Sequence, residues 1–189
     1  MKKPRAKKGA TGARSRSKNG SQRSSSFVRS PQASTARFPP DWSEFINCLS
    51  SHRVRFLVVG AHALAANGRP RATQAIDFLT EPTPANAKRL GAALADFGFA
   101  TLAEQWREFA KPDCMVTLGQ PLRIDVMTTI TGVTFAAAWK GSLRTSASGR
   151  VIGYLGRREL EQNKRATGRA DLALLAEADE STARGRKRR

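Results

Sequence analysis

The chain has 189 residues, enough for one domain, and a formal net charge of +18 from 33 Lys and Arg against 15 Asp and Glu. It holds no apolar run of about 18 residues, which excludes a transmembrane helix, and its start lacks the apolar stretch of a secretory signal. Two cysteines, Cys48 and Cys114, make neither a disulfide scaffold nor a zinc cluster, so a reducing, cytoplasmic setting is expected.

The charge is concentrated at the ends. Residues 1–40 carry eleven Lys or Arg and no acid, and residues 181–189 add five more positives. The stretch 41–180 is therefore close to neutral, at +2. Three parts are expected: a disordered basic tail over 1–40, a folded domain over 41–180 and a basic C-terminal tail over 181–189. The N-terminal tail is too poor in large apolar side chains to offset its ordering entropy. Tails of this kind attract nucleic acid by releasing condensed counterions, without sequence specificity. The plainer alternative is a solubilising terminus.

Within the domain, Asp41 with Glu44 predicts a capped helix over 41–51, with Trp42, Phe45, Ile46 and Leu49 on one face. Residues 55–59 form a compact apolar run, predicting a buried strand that ends at Gly60. Alanine-rich residues 61–67 predict a helix stopped at Gly68, and residues 74–80 the next strand. Ala87, Leu90, Leu94 and Phe97 define a helix over 86–97. Residues 99–112 carry little pattern. Strands are expected at 114–118 and 122–128 around a Gly119-Gln120-Pro121 turn, followed by a helix at 135–140 and a strand at 150–155. Two more helices, 158–166 and 169–178, flank Thr167-Gly168. Alternating strands and helices predict an α/β or α+β sheet domain.

Two carboxylates interrupt apolar strands: Asp77 beside Ile76, Phe78 and Leu79, and Asp125 in Arg123-Ile124-Asp125-Val126-Met127. A charge there costs solvation unless it faces an open edge, a metal or a partner. One reading has both converge on a divalent cation, since Mg²⁺ takes oxygen ligands and shares substrate phosphates. The other pairs them with arginines such as Arg71 or Arg123. A strand, Gly60 and a helix in succession also offer backbone N–H groups to a phosphate, although a glycine there also simply permits a tight turn.

Taken together, Val58-Val59-Gly60-Ala61-His62, Arg69-Pro70-Arg71-Ala72-Thr73 and Ala75-Ile76-Asp77-Phe78-Leu79 resemble the signature of minimal nucleotidyltransferase-fold proteins, including the AbiEii-type toxins and their small bacterial relatives. Arg123 to Thr128 resembles that family's third-carboxylate strand, and Lys164 to Arg169 with Asp171 its closing element. The resemblance spans about 41–177. It implies a nucleotidyltransferase-like mixed sheet flanked by helices. It also implies transfer of a nucleotidyl group from an NTP to a hydroxyl of RNA or protein, with Mg²⁺ or Mn²⁺, and a possible toxin role with an antitoxin partner. Asp77 and Asp125 would be metal ligands and, with Lys164, catalytic; Gly60, Ala61, His62, Arg71 and Thr73 would face the nucleotide. A lone His62 on an alanine-rich helix also reads as structural.

Three positions depart from the pattern. Ala75 stands where the family has the first Asp of Asp-x-Asp, Ala61 replaces its second glycine, and Asn67 replaces the His of its His-Gly. Ala75 has no oxygen to give a metal. The alternative is therefore a catalytically inactive binding module on the same fold, whose tails hold nucleic acid or an acidic partner.

Overall fold

The computed structural model describes residues 38–119, 123–147 and 149–167. The two tails, the predicted helix at 169–178 and the Gly168-Arg169 and Asp171 motif lie outside the described residues, as do residues 120–122 of the predicted turn and strand.

The elements follow the hydrophobic pattern closely. In chain order they are α1 (Pro40–Ser51), β1 (Phe56–Val59), α2 (Gly60–Ala66), β2 (Ala75–Thr80), α3 (Pro84–Asp96), α4 (Ala100–Glu104), a 3-10 helix (Trp106–Ala110), β3 (Met115–Leu118), β4 (Arg123–Met127), α5 (Phe135–Lys140), β5 (Leu143–Ala147), β6 (Arg150–Tyr154) and α6 (Arg157–Thr167). The strands form one six-stranded sheet in the order β3-β4-β2-β1-β6-β5. β2 runs parallel to β4 and β1 parallel to β6, while the β1–β2, β3–β4 and β5–β6 pairs are antiparallel. The alternation of elements predicts a sheet domain of the α/β or α+β class and the family resemblance a mixed sheet flanked by helices, and this is the architecture that forms.

Three local expectations are corrected. Asp41 does not cap α1: the cap position is Pro39, without a side-chain hydrogen bond, and Asp41 lies inside the first turn. Proline at the first helical position needs no amide partner, so the helix begins there. The weakly patterned stretch 99–112 forms two short helices, packed against α3; Gly91 of α3 lets Trp106 approach so closely that a Cβ at 91 would lie 2.8 Å from the Trp106 Cβ. β5 was not foreseen.

Successive strand residues point to opposite faces, so each strand serves two layers. Val58, Ile76, Phe78, Ile124 and Val126 face one side, packing with Trp42, Phe45, Ile46 and Leu49 of α1 and Leu90 and Leu94 of α3. Leu57, Val59 and Leu79 face the other, with Ala63 and Leu64 of α2, Ala138 of α5 and Leu160 of α6. Each fully buried large side chain contributes about 1.5–3 kcal/mol. Buried Asn86 of α3 ties the β1 and β2 ends together: its Oδ1 accepts from the Arg55 N–H at 2.7 Å and its Nδ2 donates to the Arg55 and Glu81 carbonyls, each at 3.1 Å.

Candidate active site

Asp77 lies on the second face of β2, the face whose outer end is covered through Leu79. Asp125 is its register partner on β4, and Ala75 is the partner of Arg123 one step along. Because residues two apart on a strand share a face, Ala75, Asp77, Arg123 and Asp125 form a four-residue patch on one side of the sheet. The second hydrophobic core stops short of this patch. There a cleft of about 800 Å³ opens, lined by Gly60, Ala61, Arg71, Thr73, Ala75, Asp77, Arg123, Asp125 and Lys164, together with Asp113, Met115, Thr129 and Asn163.

The two carboxylates are held differently. Asp125 is buried at 3 % exposure. The Thr117 hydroxyl, opposite it on β3, donates to its Oδ1 at 2.6 Å, and Arg123 Nη2 lies 3.5 Å from its Oδ2. Asp77 packs against the start of α2. Gly60 has a φ of +61°, and a Cβ there would lie 2.9 Å from the Asp77 Cγ and collide with its carboxylate oxygen. Glycine is thus required at 60 twice over, by conformation and by the close approach of Asp77. The pairing of Asp125 with Arg123 realises the salt-bridge alternative for that residue without removing it from the cleft.

The other candidates divide. Arg71, Thr73, Gly60 and Ala61 line the cleft, and Lys164 of α6 reaches it while 4 % exposed. The Thr73 hydroxyl also closes the start of β2, accepting from the Ala75 N–H at 3.2 Å and donating to its carbonyl at 3.1 Å. His62 is not among the lining residues. Its ring packs edge-on against Phe38 and Trp42, at centroid distances of 5.5 and 5.2 Å. The helical turn that brings Ala61 to the cleft rotates residue 62 away from it. Asn67, at the end of α2, donates to the Ala63 carbonyl at 2.8 Å and the Leu155 carbonyl at 3.1 Å, a structural role.

Burial pushes the His62 imidazole below its ordinary value, and a hydrogen bond with the Ala75 backbone opposes part of that. The unfolded ring gains a proton near pH 6.5 (about the model-peptide value), whereas the folded ring resists it. Stability from this group is therefore complete above that pH and is lost as pH falls through the window below it. In thermal melts, the Tm advantage of the parent over His62→Gln should shrink as pH falls from neutral to pH 5. An advantage that stays constant across this range would show that His62 does not couple to folding.

Thr117, Asp113 and Thr129 were missed in the sequence. Thr117 is an unremarkable threonine on an edge strand, and only the β3–β4 register makes it a partner of Asp125. Asp113, at a φ of +58°, accepts from the Thr129 hydroxyl at 2.6 Å. Asp followed closely by a strand was its sole signal.

No protein-family model matches this chain, and no curated protein matches it. A solved structure of a Thermotoga maritima protein, provisionally assigned as a nucleotidyltransferase, is similar at 16 % identity over 78 % of this chain and 91 % of that one, with a TM-score of 0.48. Among the described residues, no helix is long and apolar enough to cross a membrane.

Among the described residues, no group of three or more His, Cys, Asp or Glu side chains is arranged to hold a metal ion. Two carboxylates in register remain, and Mg²⁺ is commonly held by one or two carboxylates with substrate phosphates and water completing its shell. The residues fit one hard cation whose remaining ligands are supplied by water or a bound molecule.

Proposed function

We propose that the cleft binds a nucleoside triphosphate and transfers its nucleotidyl group to an acceptor hydroxyl, which loses its proton as the bond between the α- and β-phosphates breaks and pyrophosphate leaves. The observation that carries this reading is the register pairing of Asp77 with Asp125 on parallel strands, at the floor of a cleft also lined by Gly60, Arg71 and Lys164. Asp77 and Asp125 would hold Mg²⁺ or Mn²⁺. When bound, the ion would neutralise phosphate charge and favour in-line attack. Thr117 fixes the Asp125 carboxylate through its 2.6 Å hydrogen bond, so that this group enters the reaction without reorganising. Arg71 and Lys164 supply positive charge along the cleft, and Gly60 keeps the backbone against Asp77. RNA is the acceptor favoured by the charge of the chain ends, with eleven positives and no acid in residues 1–40. A protein acceptor and an antitoxin partner rest on the family resemblance alone.

A second reading is supported by Ala75. It lines the cleft where the resembling family carries an oxygen ligand, and its register partner is a cation. On this reading the fold binds nucleotide and does not transfer it.

Label transfer distinguishes them. The chain is incubated with each α-labelled NTP, Mg²⁺ or Mn²⁺ and total RNA, beside Asp77→Ala and Ala75→Asp. The expected result is transfer by the parent and a loss of at least about 100-fold in Asp77→Ala, the order lost when a transition-state stabilising group is removed. Transfer by Ala75→Asp alone would establish the binding-module reading. Parent transfer that survives Asp77→Ala would overturn the assignment of the site.

A further inference from the structure

The cleft carries its own counter-charges. Among its described lining residues, Arg71, Arg123 and Lys164 stand against Asp77, Asp113 and Asp125, three of each sign. A cluster of unbalanced carboxylates would repel a triphosphate until a metal arrived, whereas this lining is balanced before any ion binds. The exchange is local. The patch position at 75 holds alanine, and its register partner is Arg123.

Arg123 is also placed to move. Its Nη2 lies 3.5 Å from Asp125 Oδ2, longer than the 2.7–2.9 Å or so of a strong charge-assisted hydrogen bond. Its side chain is 51 % exposed while that of Asp125 is 5 % exposed. A guanidinium held loosely at one end and open to the cleft can turn its planar fork toward phosphate oxygens.

We infer that Arg123 is a specificity-determining residue that takes the triphosphate directly, so that this cleft binds nucleotide without a divalent cation. The inference rests on the nucleotide reading above. Binding and transfer are then separable: Arg123 anchors the phosphates, and an ion is needed only for the chemistry.

The test is equilibrium binding of a fluorescent ATP analogue to the full chain at physiological salt, once with excess EDTA and once with Mg²⁺. The parent, Arg123→Gln and Arg123→Lys are compared, with thermal melts to confirm that each is folded. The parent should bind in EDTA within about threefold of its affinity in Mg²⁺. Arg123→Gln should lose about tenfold or more in EDTA and less in Mg²⁺, and Arg123→Lys should fall between them because it keeps the charge but not the fork. Any attraction of the analogue to the basic tails is common to all three and cancels in the comparison. Parent binding that disappears in EDTA, or Arg123→Gln binding in EDTA as the parent does, would overturn the inference and leave the nucleotidyl reading standing. Absence of binding in both conditions would overturn both.

Discussion

Gly60→Ala should lower the stability of the domain by about 3 kcal/mol and its Tm by roughly 9 °C. Two costs combine. A side chain at a φ of +61° sits in the left-handed region, at about 1 kcal/mol. The new methyl would also collide with the Asp77 carboxylate, and overpacking of this kind typically costs about 1–3 kcal/mol. Gly68 separates the two. It has a φ of +88° with nothing within 4 Å of a built Cβ, so Gly68→Ala carries the conformational cost alone. A double-mutant cycle decides whether the collision partner is Asp77. Asp77→Ala should recover part of the loss in Gly60→Ala, giving a coupling of about 1 kcal/mol or more by denaturant titration. Strict additivity would show that the two residues do not press on one another.

Phe78→Ala should cost about 3–5 kcal/mol, the usual range for emptying a buried aromatic site. Phe78 is fully buried on the first face of β2, edge-on to Phe45 of α1 at 5.4 Å and to Phe56 of β1 at 5.6 Å. Three elements therefore lose contacts at once, and the space cannot close by moving one helix. The effect reaches the cleft, since the next residue toward the chain start is Asp77, held on the opposite face by the same strand. Equilibrium unfolding in urea measures it, and a loss below about 1 kcal/mol would show that α1 and β1 collapse into the gap. Phe78→Leu keeps most of the volume and should cost about half as much.

Much of this architecture is local and is legible in the sequence. The apolar run ending at Gly60 had to be a strand meeting a turn, and the 3.6-residue spacing of Leu90, Leu94 and their neighbours had to be a helix. Asp77 and Asp125 stood out because each interrupts an apolar strand, a cost that asks for a reason. What escaped was structure whose pattern is set by its neighbours. β5 reads Leu143-Arg144-Thr145-Ser146-Ala147, and as an edge strand paired only with β6 it leaves most of these side chains in solvent. No hydrophobic alternation was needed, so none was written. The short helices over 99–112 pack on α3, and it is the missing side chain at Gly91 that admits Trp106, rather than any signal in the stretch itself.

The sequence by itself determined that two apolar strands each carry one aspartate, that a glycine turn precedes a short helix, and that position 75 offers no carboxylate. Only the tertiary structure decided which groups meet. The parallel pairing of β2 with β4 sets Asp77 beside Asp125 and Ala75 beside Arg123, and the antiparallel pairing of β3 with β4 brings Thr117 to Asp125. The same assembly sends His62 into the aromatic cluster of Phe38 and Trp42 and buries Lys164 at the cleft. The division has a physical cause. Strand and helix formation follow from periodicity within a few residues, whereas register is fixed by long-range packing, and a slip of one residue would turn every one of these side chains to the other face.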